Sequence, residues 1–496
     1  MNQRYTPCMH VVWFKRDLRI HDHVPLSLAT LAGPTLPVYI LEPDLWNEPD
    51  MSTRQFLFLS DCIIELQRDL GSIGLDLKIM VGNATDCLNT LNNTIGITHL
   101  WSSQETWNGW TYDRDLAVKE WTRENHIEWT ESPQHGVIRC LKNRDGWSYL
   151  WKKRMSAPMV TATPVGAPIS PTAHFPPPED IGLTPDGIID LQKGGSSAAL
   201  DCLNQFLFDS GQPYTKAMSS PVTAFNACSR LSPHLAFGTI SIRHVFQIAN
   251  KRQQAIQTMP RGPEKKEWQS ALRSFLGRLR WHCHFIQKLE DEPQLEFLSL
   301  HPMMRDLDPQ SFSPSFFEKW KAGNTGFPLV DACMRALRAT GWLNFRMRAM
   351  VMSVAVHHLQ LPWRHCALYL ATQFVDYEPG IHYSQCQMQA GRTGINAIRI
   401  YNPIKQGLDQ DPTGVFIRQW LPELSKIPDR GIHHPWAFGH PQPIVDEASA
   451  RQHAATLLYG RKKHPSFKKS SEKILKKHGS RRKPVTSPLQ MQLDLA

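Results

Sequence analysis

Residues 325–424 read TGFPLVDACMRALRATGWLNFRMRAMVMSVAVHHLQLPWRHCALYLATQFVDYEPGIHYSQCQMQAGRTGINAIRIYNPIKQGLDQDPTGVFIRQWLPEL, and this stretch decides the fold. Most of it is apolar with helical spacing. Leu343, Met347, Met350, Val351 and Val354 share one face of a helix. Pro362 suits the first turn of a following helix over 363–375, and Asp376-Tyr-Glu-Pro-Gly380 ends that helix in a turn. Arg, Asp, Glu, Asn and aromatic residues recur throughout the stretch. Charges of both signs inside an apolar region are costly unless paired. The pattern therefore predicts a polar pocket inside a helical core.

Outward from this segment, composition sets bounds. The chain has 496 residues, is 41% hydrophobic and has a mean hydropathy of −0.37, which predicts a soluble globular protein of two or more domains. No apolar run reaches the ~18 residues that a membrane span needs, and no basic-then-apolar leader opens the chain. The expected compartment is the cytoplasm. The ten cysteines are scattered without a C-x-x-C pair, so neither a disulfide framework nor a metal site is expected. The net charge is +10, and the segment from Arg461 to Lys483 alone holds eleven Lys/Arg against one Glu. Such a run either contacts phosphates or is only solvated.

Residues 11–14, 36–41, 79–81 and 99–101 are short apolar runs, with a helical pattern over 54–69 between two of them. Residues 1–155 thus read as a Rossmann-like α/β domain with a parallel sheet, where ligands usually sit at the carboxyl ends of strands. Residues 156–199 form a linker whose Pro, Thr and Gly richness leaves no periodicity. Residues 200–445 read as an all-helical domain, and 446–496 as a basic, disordered tail.

TG-P-L-VDA-MR-L--TGW at 325–342, the Arg346/Arg348 pair, the Asp376 to Glu378 turn and the closing R-YNP--QG---DP-G-FIR-WLPEL together resemble the photolyase/cryptochrome flavoprotein family. VVWFKRDLRIHDHVPL near the N-terminus resembles that family's opening strand and turn, and CSRLSPHLAFG at 228–238 resembles its flavin phosphate loop. The resemblance covers roughly residues 10–430 and is to a bacterial-type, DNA photolyase-like member. It implies FAD in the helical domain and an antenna role for the α/β domain.

The implied FAD contacts are Tyr214, Cys228, Ser229, Arg230, Leu231, Ser232, Phe275, His282, Arg348, Asp376, Tyr377, Glu378 and His382. Small hydroxyls and a helix start in the 228–233 loop also suit a phosphate on their own terms, although an ordinary N-cap has the same pattern. Cys228 stands where relatives usually carry Thr. Arg348 and Asp376 resemble a buried ion pair under the flavin ring, and a core salt bridge is the competing reading. His382 falls where photolyases place an Asn facing flavin N5. Unlike Asn, His can supply a proton near neutral pH, and Tyr383 takes that place if the register slips.

Relatives pass electrons to the flavin through three tryptophans. Trp363 matches the middle one, Cys386 stands at the inner position, and Gln310 or Phe312 falls at the outer one, which leaves routes through Trp342, Tyr383 or Tyr401. Arg348, Trp363 and His382 are the expected catalytic set. The implied DNA contacts are Arg278, Trp281, Phe345, Arg346 and Met388, of which Trp281 would stack on an extruded base. Arg278, Phe345 and Met388 stand where relatives usually carry an acid, an Asn and a Trp. Glu105 resembles a residue holding an antenna chromophore, either folate or deazaflavin. The expected activity is light-driven splitting of pyrimidine photolesions in single- or double-stranded DNA by a monomer. A blue-light photoreceptor without repair is the alternative.

Overall fold

The computed structural model describes residues 9–309 and 312–479. Five parallel strands, β1 (Met9–Phe14), β2 (Thr35–Leu41), β3 (Lys78–Val81), β4 (Ile97–Ser103) and β5 (Glu128–Ser132), form one sheet in the order β3-β2-β1-β4-β5. Central β1 buries Val11, Val12, Trp13 and Phe14 on both faces, which is why it reads as a continuous apolar run. Edge strand β5, EWTES, is mostly half-buried and has no such run, so periodicity alone misses it. The chain order reverses between β2 and β4 on either side of β1, and the carboxyl ends there carry Lys15, Arg16, Glu42 and Glu105.

The segment between the domains has little regular structure but is pinned to its surroundings. Val165 and Ile169 donate backbone hydrogen bonds to Ile73 and Gly71. Gly74, at φ +83°, lies against Gly166 so closely that a Cβ would fall 2.7 Å from the Gly166 nitrogen. Arg54, buried in the Thr53–Ser72 helix, pairs with Asp186 at 2.6 Å and donates to the carbonyls of Leu337, Arg338 and Gln373. One guanidinium therefore ties the α/β domain and the linker to the helical domain.

The remainder is helical, and among the described residues no helix is long and apolar enough to cross a membrane. The basic C-terminal segment differs from expectation. Residues Glu447–Lys462 and Pro465–His478 are two helices packed on the domain rather than a disordered tail. Leu458 and Phe467 cluster with Met304 and Leu307, and the Phe467 ring stacks on His301 at 4.0 Å. Few apolar positions do this among many charges. The surface that receives them comes from distant segments, so the sequence does not display it. Gln310 and residues 480–496 lie outside the described residues.

Candidate functional site

The helical domain contains a cavity of about 310 Å³ whose walls come from segments far apart in the chain. Tyr214, Cys228 and Ser232 form one side, and Arg278 and His282 of the Pro263–Asp291 helix a second. Phe345, Arg346, Arg348 and Ala349 come from the Phe345–Ser353 helix. The turn and the Pro379–Gln389 helix supply Asp376, Tyr377, Glu378, Ile381, His382, Gln385, Cys386 and Gln389. From Ile381 onward these are the i, i+4, i+8 and i+1, i+5 positions of one helical stripe, so the spacing would have revealed Gln385 and Gln389, which the sequence reading did not single out.

Arg348 and Asp376 meet as a two-pronged pair, with Nη1–Oδ1 at 2.9 Å and Nη2–Oδ2 at 2.8 Å. Arg348 also donates to the Leu343 carbonyl at 2.7 Å, and its guanidinium lies 4.0 Å from the centre of the Phe374 ring. Burial alone would raise the Asp376 pKa. The Arg348 charge, hydrogen bonds from Arg348 and Ser232 and the Arg230 charge override it and hold the carboxyl below its ordinary value. Glu378 shows the opposite balance. Burial pushes it up to about 8 although the Arg16 charge opposes this, so it is largely protonated at pH 7.

His382 differs from the expectation of a proton source at neutral pH. Its Nε2 donates to the Ala367 carbonyl at 2.8 Å, which leaves Nδ1 as a hydrogen-bond acceptor. Burial lowers its pKa to about 4, so the ring is neutral at pH 7. Cys386 lines the same wall and is pushed up to about 12 by burial.

The other sequence-predicted residues divide. Ser229, Arg230, Leu231 and Phe275 do not line the cavity. Arg230 binds Gln192 and covers the Phe225 and Trp342 rings, each 4.2 Å away. Leu231 and Phe275 are core residues, the latter 4.6 Å from the Phe206 ring. Trp363 is buried away from the cavity wall, and Phe312 stacks on His365 rather than on it. Among the DNA candidates, Arg278, Phe345 and Arg346 line the cavity. Trp281 and Met388 do not, and the Trp281 ring stacks on Phe285 at 5.6 Å and meets His284 edge-on.

Glu105 is held by Arg114 and lies 3.7 Å from Arg16. The cleft it lines, with Arg16, Glu42 and Arg114, measures about 30 Å³. That is room for a water or two within the cleft, where the Glu105 carboxylate is already paired with Arg114.

The main cavity does fit a large, polar and aromatic cofactor. His282 Nδ1, Arg346 Nε, Glu378 Oε1, Gln385 Oε1 and Gln389 Oε1 are buried on its walls without a protein partner. Buried polar atoms are normally paired, and an unpaired one costs roughly 1–3 kcal/mol. Several around one cavity imply a ligand that satisfies them. Tyr214, Trp342 and Phe374 add flat aromatic surface.

Comparison with known proteins agrees. Residues 275–459 match the FAD binding domain of DNA photolyase, and residues 10–149 match the DNA photolyase domain. Cryptochrome-2 of Arabidopsis thaliana is 31% identical over 90% of this chain and 78% of its own length. The deoxyribodipyrimidine photo-lyase of Salmonella typhimurium is 29% identical over 89% of this chain and 96% of its own. Among solved structures, the Synechocystis sp. PCC6803 cryptochrome superposes with a TM-score of 0.79 at 22% identity, covering 92% of this chain and all of that one. A bacterial class III photolyase from Agrobacterium tumefaciens gives 0.75 at 25% identity over 92% of this chain and 98% of its own. With an ion-paired, polar-walled cavity in the helical domain and relatives of this coverage, the chain belongs to the photolyase/cryptochrome family, and its cofactor is FAD.

Proposed function

We propose that this protein uses light to repair pyrimidine photolesions in DNA. One observation carries the reading. Arg278, Phe345 and Arg346, the candidates for DNA contact, line the same cavity as His282, Arg348, Asp376, Glu378 and His382, the candidates for holding FAD. An extruded base would share that cavity with the cofactor. Bound and reduced, FAD supplies the electron that opens the cyclobutane ring and recovers it afterwards. Arg348 would stabilise negative charge in the cavity, and Asp376 fixes the Arg348 orientation. Nδ1 of His382 can accept a hydrogen bond but holds no proton to give at neutral pH. Arg346 and Arg278 offer cations to the DNA where a neutral or acidic group would not.

A second reading, a blue-light photoreceptor that repairs nothing, is favoured by the packing of Trp281 on Phe285 outside the cavity. A single experiment separates the two. Flavin-loaded protein is illuminated with single- and double-stranded DNA carrying cyclobutane pyrimidine dimers, and dimers are counted against a dark control. Light-dependent loss of dimers supports repair. Intact dimers alongside a light-driven change in flavin absorbance sink the repair reading and select the photoreceptor.

A further inference from the structure

Tyr377 stands on the wall of the FAD cavity and is 2% exposed. Its hydroxyl donates to Oδ2 of Asp50, a buried residue of the N-terminal domain. The same oxygen accepts from the Tyr383 hydroxyl at 3.4 Å. The other oxygen of Asp50, Oδ1, is buried with no partner. Burying a carboxylate with one oxygen unpaired is costly, and Asp50 does not line the FAD cavity, so holding the cofactor does not explain the arrangement. Two phenols converging on one under-paired carboxylate do suit a different task. A base already hydrogen-bonded to a phenol takes its proton as the electron leaves, which avoids a charged phenol radical in a dry site.

We propose that Tyr377, with Asp50 as proton acceptor, is a light-driven electron donor to the oxidised FAD. This rests on the assignment of the cavity to FAD. In the step, the phenol of Tyr377 gives one electron to the photoexcited oxidised flavin. Its O–H bond breaks, and the proton passes to Asp50. The flavin has gained one electron, and a neutral tyrosyl radical remains. A thiolate in solution then returns the electron and becomes a thiyl radical, while Asp50 returns the proton.

The indole nearest Tyr377 is disfavoured as the donor. Trp107 meets Tyr377 edge-on at 5.4 Å, but the Arg16 guanidinium lies 3.3 Å from the Trp107 ring centre. A fixed positive charge there opposes a cation radical on that indole. Tyr383, whose ring centre is 6.3 Å from that of Tyr377, shares the same acceptor but does not line the cavity. Burial, then the neighbouring Tyr383 and Asp50, hold the Tyr377 pKa well above its ordinary value, so its proton has to leave with the electron.

The test is photoreduction under blue light with a thiol, in H2O and D2O, followed by flavin absorbance and electron paramagnetic resonance. Wild-type protein and Tyr377→Phe, Asp50→Asn and Tyr383→Phe are compared after flavin content and thermal unfolding have been measured. Wild type should show a tyrosyl radical and reduce more slowly in D2O, a readout that needs no variant. Tyr377→Phe should lose the radical and slow at least about tenfold. Asp50→Asn, which keeps a polar amide but cannot take the proton, should slow similarly and lose the isotope effect. Tyr383→Phe, which keeps the Tyr377–Asp50 contact, should still show the tyrosyl radical. A flavin-loaded Tyr377→Phe that reduces at the wild-type rate overturns the proposal, as does a wild type without tyrosyl radical. Wild-type protein that binds no flavin overturns the cofactor assignment as well.

Discussion

Nε2 of His382 lies 2.8 Å from the carbonyl oxygen of Ala367, and a carbonyl can only accept. That contact fixes the tautomer, and burial keeps the ring neutral by lowering its pKa from 6.5 to about 4. The unfolded chain therefore binds a proton on this residue at a pH where the folded protein does not. The associated stability is present above about pH 6.5 and is lost as pH falls toward 4. It amounts to about 3 kcal/mol for this one group. Urea unfolding of wild type and His382→Asn across that range should show the variant losing less stability on acidification. Parallel curves would mean that His382 titrates normally in the fold.

The Arg348–Asp376 pair makes a second prediction. Asp376→Asn keeps the shape but removes the charge that neutralises Arg348 and that Ser232 and Arg348 hydrogen-bond. FAD occupancy should fall, with the dissociation constant rising about tenfold or more, equivalent to roughly 1.4 kcal/mol. Flavin content by absorbance after gel filtration checks this, and full occupancy with an unchanged spectrum would argue for a purely structural ion pair.

Arg54 should matter for stability although it lies outside the cavity. Arg54→Met leaves Asp186 and three backbone carbonyls without their donor. The expected loss is about 1–3 kcal/mol, from the buried carbonyls that lose a donor, because the Asp186 carboxylate keeps its access to solvent. Arg54→Lys should not restore it, because a compact ammonium cannot replace a planar fork. Denaturant midpoints of the three proteins measure the effect, and recovery by lysine would show that charge alone suffices.

The C-terminal helices change how the basic segment should be tested. Truncating at residue 461 would also remove Phe467 and Ile474 from the core. Charge is better removed in place, as Lys463→Gln, Lys468→Gln, Lys469→Gln and Lys473→Gln, since all four side chains are exposed. If this face binds phosphates, the salt dependence of duplex binding should flatten by roughly 0.9 for each phosphate no longer neutralised. An unchanged slope with wild-type thermal stability would mean the charges are only solvated.

Much of this protein was legible in the amino-acid sequence alone. Continuous burial of β1 and β2 imposes apolar runs on the sequence, so the parallel sheet announces itself, and only the half-buried edge strand β5 stays hidden. The helical domain and the Arg348–Asp376 pair were legible because the residues lie within one helix and the turn after the next, in motifs the family shares. Burial and long-range contact were not. The sequence shows a histidine at 382, but a backbone carbonyl fifteen residues away decides which nitrogen holds its proton. It shows a carboxylate at Glu105, but Arg114 and Arg16 decide that this carboxylate is already paired. It shows Asp50 and Tyr377 more than three hundred positions apart, and only the packing of one domain on the other places the carboxylate on the phenol. Periodicity records which face of an element is buried, and it records nothing of what that face meets. Proton affinity and pairing depend on what is met, so the chemistry of this site was decided by the tertiary structure.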